Sequence, residues 1–115
     1  MGKDGLKKGE AFKVDELIEY VPNSIATKTI IKKITGSISA ISSDSGGVLV
    51  GKVLAFDNFI EVIEGNAEFV IDDKSNLLEA GQSIIIPANS RRTISAIKRF
   101  KLLSTIIKSG YEDVS

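Results

Sequence analysis

From Ser24 to Lys108 the chain alternates short runs of β-branched and apolar residues with Gly, Asn, Asp and Ser at close intervals, which is the rhythm of strands and turns. The pattern predicts strands at about 24–34, 36–42, 48–55, 58–64, 66–72, 76–79, 82–86, 91–96 and 99–107. Glu64-Gly65-Asn66 offers residues that tolerate positive φ, and Asp72-Asp73-Lys74 reads as a polar hairpin tip. Ala80-Gly81 and Pro87-Ala88-Asn89 bracket the apolar Ser83–Ile86. Ahead of this region, Val14, Leu17 and Ile18 stand at i, i+3 and i+4, predicting a short helical turn over 14–20 that Pro22 ends. The chain therefore divides into an N-terminal segment (1–23), an all-β barrel or sandwich (24–108) and a tail (109–115). Residues 1–12 and 110–115 are expected to be loosely held.

Several strands are apolar on both faces: Thr29-Ile30-Ile31, Ile84-Ile85-Ile86, Leu102-Leu103 and Thr105-Ile106-Ile107. A closed barrel needs only its inner face apolar, so a second copy of the chain is the expected cover, and a homodimer the expected state. The segment around Phe12 and Leu17 is expected to add to that cover.

Composition narrows the chemistry. At 115 residues the chain is one domain, long enough to fold without disulfide or metal staples. It contains no Cys and no His, which excludes Ser-His-Asp and Cys-His nucleophiles and zinc or iron sites built on nitrogen or sulfur. Fifteen basic residues balance fifteen acidic ones, so no overall charge favours nucleic acid or an anionic membrane. The basic run Lys98, Arg99, Lys101 alternates with Phe100 and Leu102 and reads as a charged sheet edge. No apolar run approaches the ~20 residues of a membrane span, and 1–13 lacks the apolar core of a signal peptide, so a cytoplasmic location is expected. Asp44-Ser45-Gly46-Gly47 and Asp72-Asp73 read as turns rather than cation loops.

One spacing is specific. Gly81, five residues, Pro87, one residue, Asn89, two residues and Arg92 resembles the second signature of the cupin superfamily: Gly, five residues, Pro, any, Gly, two residues, His, three residues, Asn. Val62-Ile63-Glu64-Gly65-Asn66 resembles the end of the first signature. From about Ser24 to Lys108 the layout is similar to small single-domain bacterial cupins. The resemblance implies a double-stranded β-helix, the cupin jelly-roll barrel. It also places the family's metal-ligand positions on Lys52, Leu54, Asn58 and Arg92, with Asp57 reached by an offset of one residue. None of these is a histidine and two are cations. A divalent ion near them would meet repulsion of roughly 2–4 kcal/mol per unit-charge pair at 4–8 Å, so the usual metal is expected to be absent.

Alternation sends Val50, Lys52 and Leu54 to one face, joined by Asn58, Ile60 and Val62 if the signature spacing holds. Two cations inside a small barrel would need an acidic partner, either Asp57 or an anionic ligand gripped by Arg92 and Lys52. The competing expectation leaves Lys52 at the barrel mouth and Arg92 on the surface beside Arg91. Glu61, Glu64 and Glu68 read as solvated edges. The expectation carried forward is a non-catalytic barrel that binds or senses a small molecule, an anion among the candidates, through Lys52, Leu54, Asn58 and Arg92, with no cofactor. The alternatives are a metal-free isomerase or epimerase and an interaction module with a filled interior.

Overall fold

The computed structural model describes residues 6–44, 47–96 and 98–109, with the backbone alone at positions 49 and 50. One helical turn, α1 (Val14–Leu17), precedes nine strands: β1 (Ile25–Lys33), β2 (Gly36–Ser43), β3 (Gly47–Gly51), β4 (Asp57–Glu64), β5 (Asn66–Ile71), β6 (Lys74–Glu79), β7 (Ser83–Ile86), β8 (Arg92–Ala96) and β9 (Phe100–Ile107). Each predicted strand is present. The third is shorter than expected, ending at Gly51, and the helical turn stops at Leu17, with Ile18 already extended. Ser45 and Gly46, residues 1–5 and residues 110–115 lie outside the described residues, so the expectations placed on them are not addressed.

Every strand pairing is antiparallel, in two sheets ordered β1-β2-β9-β4-β7 and β3-β8-β5-β6. This is the expected jelly-roll barrel. Strict alternation in β4 turns Asn58, Ile60 and Val62 inward, all at most 3% exposed, where the two sheets close on Ala67, Phe69, Leu78, Ile86, Phe100 and Leu102. The β5–β6 hairpin turns on Asp72 and Asp73 at φ +46° and +71°, the paired left-handed conformation that matches strand twist. Gly65 sits at φ +80° where an added Cβ would lie 2.6 Å from the Arg99 carbonyl, so only glycine fits between β4 and β5.

The N-terminal segment lies on the outer face of the five-stranded sheet. Of the two residues expected to add to the cover, Leu17 is half-buried and Phe12 exposed, and Ile18 is the residue buried there. Ser42 Oγ donates to the Glu19 carbonyl at 2.9 Å, and Lys101 Nζ donates to the Asp15 carbonyl at 2.7 Å. Tyr20 donates its hydroxyl to Glu64 at 2.6 Å, with the Arg99 guanidinium 4.4 Å from its ring centroid. Lys101, within β9 between β2 and β4, and Arg99 just ahead of that strand therefore clamp the N-terminal segment and do not guard an open edge. Burial and the Glu64 carboxylate hold the Tyr20 phenol above its ordinary pKa. Among the described residues no helix is long and apolar enough to cross a membrane.

Candidate functional site

Arg92 opens β8 and turns into the barrel. Register explains why: it stands opposite Gly51 on β3 and Ile71 on β5, and directly paired residues share a face. Gly51 supplies the room. A Cβ there would lie 2.6 Å from Arg92 Cγ and 2.7 Å from Cδ, so the arginine stem runs across the backbone of β3 where any other residue would project.

Reaching from the four-stranded to the five-stranded sheet, Arg92 Nη1 donates to Asn58 Oδ1 at 2.6 Å. Asn58 is oriented from behind, because its Nδ2 donates to Ser104 Oγ at 2.9 Å and to the Thr105 carbonyl at 3.0 Å. Only the amide oxygen can then face the guanidinium. Arg92 is 7% exposed, Asn58 3% and Ser104 8%, and Arg92 is the only buried charged residue among those described. Its Nε and Nη2 have no hydrogen-bond partner among the described residues. Burial lowers the pKa of Arg92 from its usual value, with no nearby charge among the causes. A guanidinium stays protonated at neutral pH even so. Among the described residues, the barrel thus holds a positive charge met by an amide dipole alone, with Nε and Nη2 unengaged.

The other predicted residues fall differently. Lys52 lies one position past the end of β3 and is exposed, so it does not share the interior with Arg92, and the expected two-cation clamp is not formed. The reason is parity. Gly51, paired with Arg92, takes the inward position, and the chain leaves the sheet before alternation could carry Lys52 back. Val50 had been expected on the face of Lys52; its side chain lies outside the described set. Leu54 is half-buried, and its carbonyl accepts the Asn89 N–H at 2.6 Å. Between Asp57 and Asn58, it is Asn58 that faces the interior. Asp57 Oδ1 instead accepts the Ala88 N–H at 2.9 Å and fastens the Pro87–Asn89 turn. Gly51, Ser104 and the Thr105 carbonyl went unrecognised in the sequence, although a glycine inside a strand run does signal close approach of another group.

The signature corners hold. Gly81 sits at φ +93°, and Asn89 takes φ +65° where the cupin signature has glycine, a conformation asparagine accepts more readily than other side chains. Ser90 Oγ donates to the Pro87 carbonyl at 2.6 Å and closes the turn that aims β8. The four positions do not fit the family's metal: a permanent cation, an apolar side chain, an amide already engaged and an exposed lysine offer no set of anionic or imidazole donors. Elsewhere, a groove of about 310 Å³ includes Val48, Glu68, Leu77 and Ser95 in its lining. It lies three residues along β8 from Arg92, and its Glu68 carboxylate is held by the Ser75 and Ser95 hydroxyls.

This architecture is that of the cupin barrels. The chain superposes on a conserved protein of unknown function from Streptococcus pyogenes with a TM-score of 0.84 at 19% identity, covering 92% of this chain and 93% of that one. It is similar to a cupin superfamily protein from Desulfitobacterium hafniense, with a TM-score of 0.83 at 21% identity over 91% and 96% of the two chains. A cupin 2 conserved barrel domain protein from Leptotrichia buccalis matches with a TM-score of 0.79 at 26% identity, over 84% of this chain and 47% of that one, so the chain spans about half of that protein. No protein-family model and no curated protein matches the sequence.

Proposed function

We propose that this cupin-fold chain is a non-catalytic binding barrel that takes a small anionic molecule in its interior, with Arg92 as the charged anchor, Asn58 as its positioning residue and Leu54 at the rim. The observation that carries this reading is the buried Arg92 side chain whose Nε and Nη2 have no partner. Leaving a charged donor buried and unengaged costs folding free energy, and such groups in ligand pockets are the ones that fix a ligand's orientation. An anion would satisfy both donors and the charge together. Lys52, exposed beyond β3, is offered at most as a contact for a ligand group that projects from the mouth.

The groups around Arg92 also favour binding over turnover. An amide, a hydroxyl and a backbone carbonyl do not shuttle protons near neutral pH. A thermal-shift screen over small carboxylates, phosphates and sulfates tests the reading. At 100 times its dissociation constant a true ligand adds about 2.7 kcal/mol of stability, and Arg92→Met removes the shift. A screen in which every hit survives Arg92→Met refutes it.

A homodimer belongs to the same proposal. Ile31, Ile38, Thr105, Phe59 and Ile85 stand in register across all five strands on the outer face of the larger sheet, and Ile31, Phe59 and Ile85 are exposed. The N-terminal segment already covers the other part of that face, over the fully buried Ala40 and Ser42. A cytoplasmic setting is part of the same reading and rests on the sequence expectation alone.

A further inference from the structure

We propose that the ligand group seated at Arg92 is a singly charged carboxylate carried on an apolar body, bound side-on through Nε and Nη2. This rests on the reading of the barrel as an anion site and specifies its chemistry. Asn58 occupies Nη1, so the donors left over are Nε and Nη2. Those two lie along one edge of the guanidinium, with parallel N–H bonds spaced to meet the two oxygens of one carboxylate. The opposite edge is closed to such a pairing by the Asn58 oxygen, which is itself fixed by Ser104 and Thr105.

Charge then selects among oxyanions. Arg92 is the only buried charged residue among those described, and Lys52 stands outside. A carboxylate brings one negative charge and is neutralised. A phosphate group brings about −1.5 to −2 at pH 7, so part of its charge would enter the barrel unmatched. The surroundings point the same way. Around Arg92 and Asn58 the inner face carries Ile71, Ile86 and Ile106, with the Ser104 hydroxyl beside Asn58 and the half-buried Ser37 and Ser39 opposite Ile106 and Ser104 on the neighbouring strand. Three isoleucines beside the guanidinium favour a short aliphatic or aromatic body over a phosphorylated one.

The experiment follows the Arg92 Nε–Hε resonance of ¹⁵N-labelled protein, assigned by its loss in Arg92→Lys, during titration at pH 7.5 with acetate, isobutyrate, benzoate and inorganic phosphate. Isobutyrate or benzoate is expected to shift that resonance saturably and to leave those of Arg91 and Arg99 in place. Acetate is expected to bind more weakly, and phosphate at least tenfold more weakly than the best carboxylate. Phosphate binding as tightly as the carboxylates overturns this inference and leaves the anion site standing. No response to any of the four overturns both. Asn58→Asp supplies the countercharge from the occupied edge without touching Nε or Nη2, and is expected to lower carboxylate affinity tenfold or more; unchanged affinity refutes the charge argument.

Discussion

Replacing Arg92 with Met and Asn58 with Leu together separates a residue kept for ligand from one kept for the fold. In the unliganded barrel, Nε and Nη2 each lack a partner, at about 1–3 kcal/mol apiece, or roughly 2–6 kcal/mol of penalty. Against this stand one charge-assisted bond to Asn58, at about 1.5–3 kcal/mol, and the two neutral bonds that Asn58 makes, at about 0.5–1.5 kcal/mol each. The two sides nearly cancel. Methionine keeps much of the arginine stem, and leucine at a position 3% exposed adds about 1.5–3 kcal/mol of apolar burial. The double variant is therefore expected to be more stable than the parent by ~2 kcal/mol, in line with buried ion networks replaced by apolar side chains. For a chain of 115 residues that is a rise in Tm of roughly 8 °C by scanning calorimetry. Each single variant is expected to lose stability, because Arg92→Met strands the Asn58 oxygen and Asn58→Leu strands the whole guanidinium, so the pair is strongly non-additive. A double variant 2 kcal/mol less stable than the parent would show that the network holds the barrel together, and the argument for a ligand anchor would lose its thermodynamic basis.

Gly51→Ala places a methyl against the Arg92 stem, so anion-induced thermal shifts should vanish while the circular dichroism of the barrel is retained; intact shifts would mean that the stem need not cross β3. Phe59→Glu puts a charge in the middle of the exposed apolar row, and light scattering should show the parent as a dimer and this variant as a monomer; a monomeric parent at tens of micromolar sinks the idea of self-association. Tyr20→Phe loses the bond to Glu64 at the surface and should cost less than about 1.5 kcal/mol. Because the folded Tyr20 pKa lies above the unfolded value of about 10, the part of stability linked to its ionisation is present below pH 10 and declines as pH rises beyond it. The parent should therefore lose stability between pH 9.5 and 11 more steeply than Tyr20→Phe, and parallel profiles would remove the phenol from the clamp.

The strand plan is written locally. Glycine, asparagine and aspartate at most of the turns set the strand ends to within a few residues, and the left-handed conformations of Gly65, Gly81 and Asn89 are ones those residues adopt at low cost. The spacing from Gly81 through Pro87 likewise marked Arg92, and the count back from Gly65 in the first signature marked Asn58 on the other sheet. What local pattern could not supply was which side of a strand faces inward once the chain leaves a sheet. Alternation has a period of two, so a single residue of offset at Gly51 sends Lys52 outside and gives the arginine its space. That offset is set by the pairing of β3 with β8, whose Gly51 and Arg92 stand far apart in sequence. The same holds for Lys101, which looked like an edge guard until β9 was found between two other strands holding down the N-terminal segment. Turn chemistry belongs to neighbours in sequence, whereas the company a buried charge keeps is fixed by cross-strand register, and register exists only in the folded barrel.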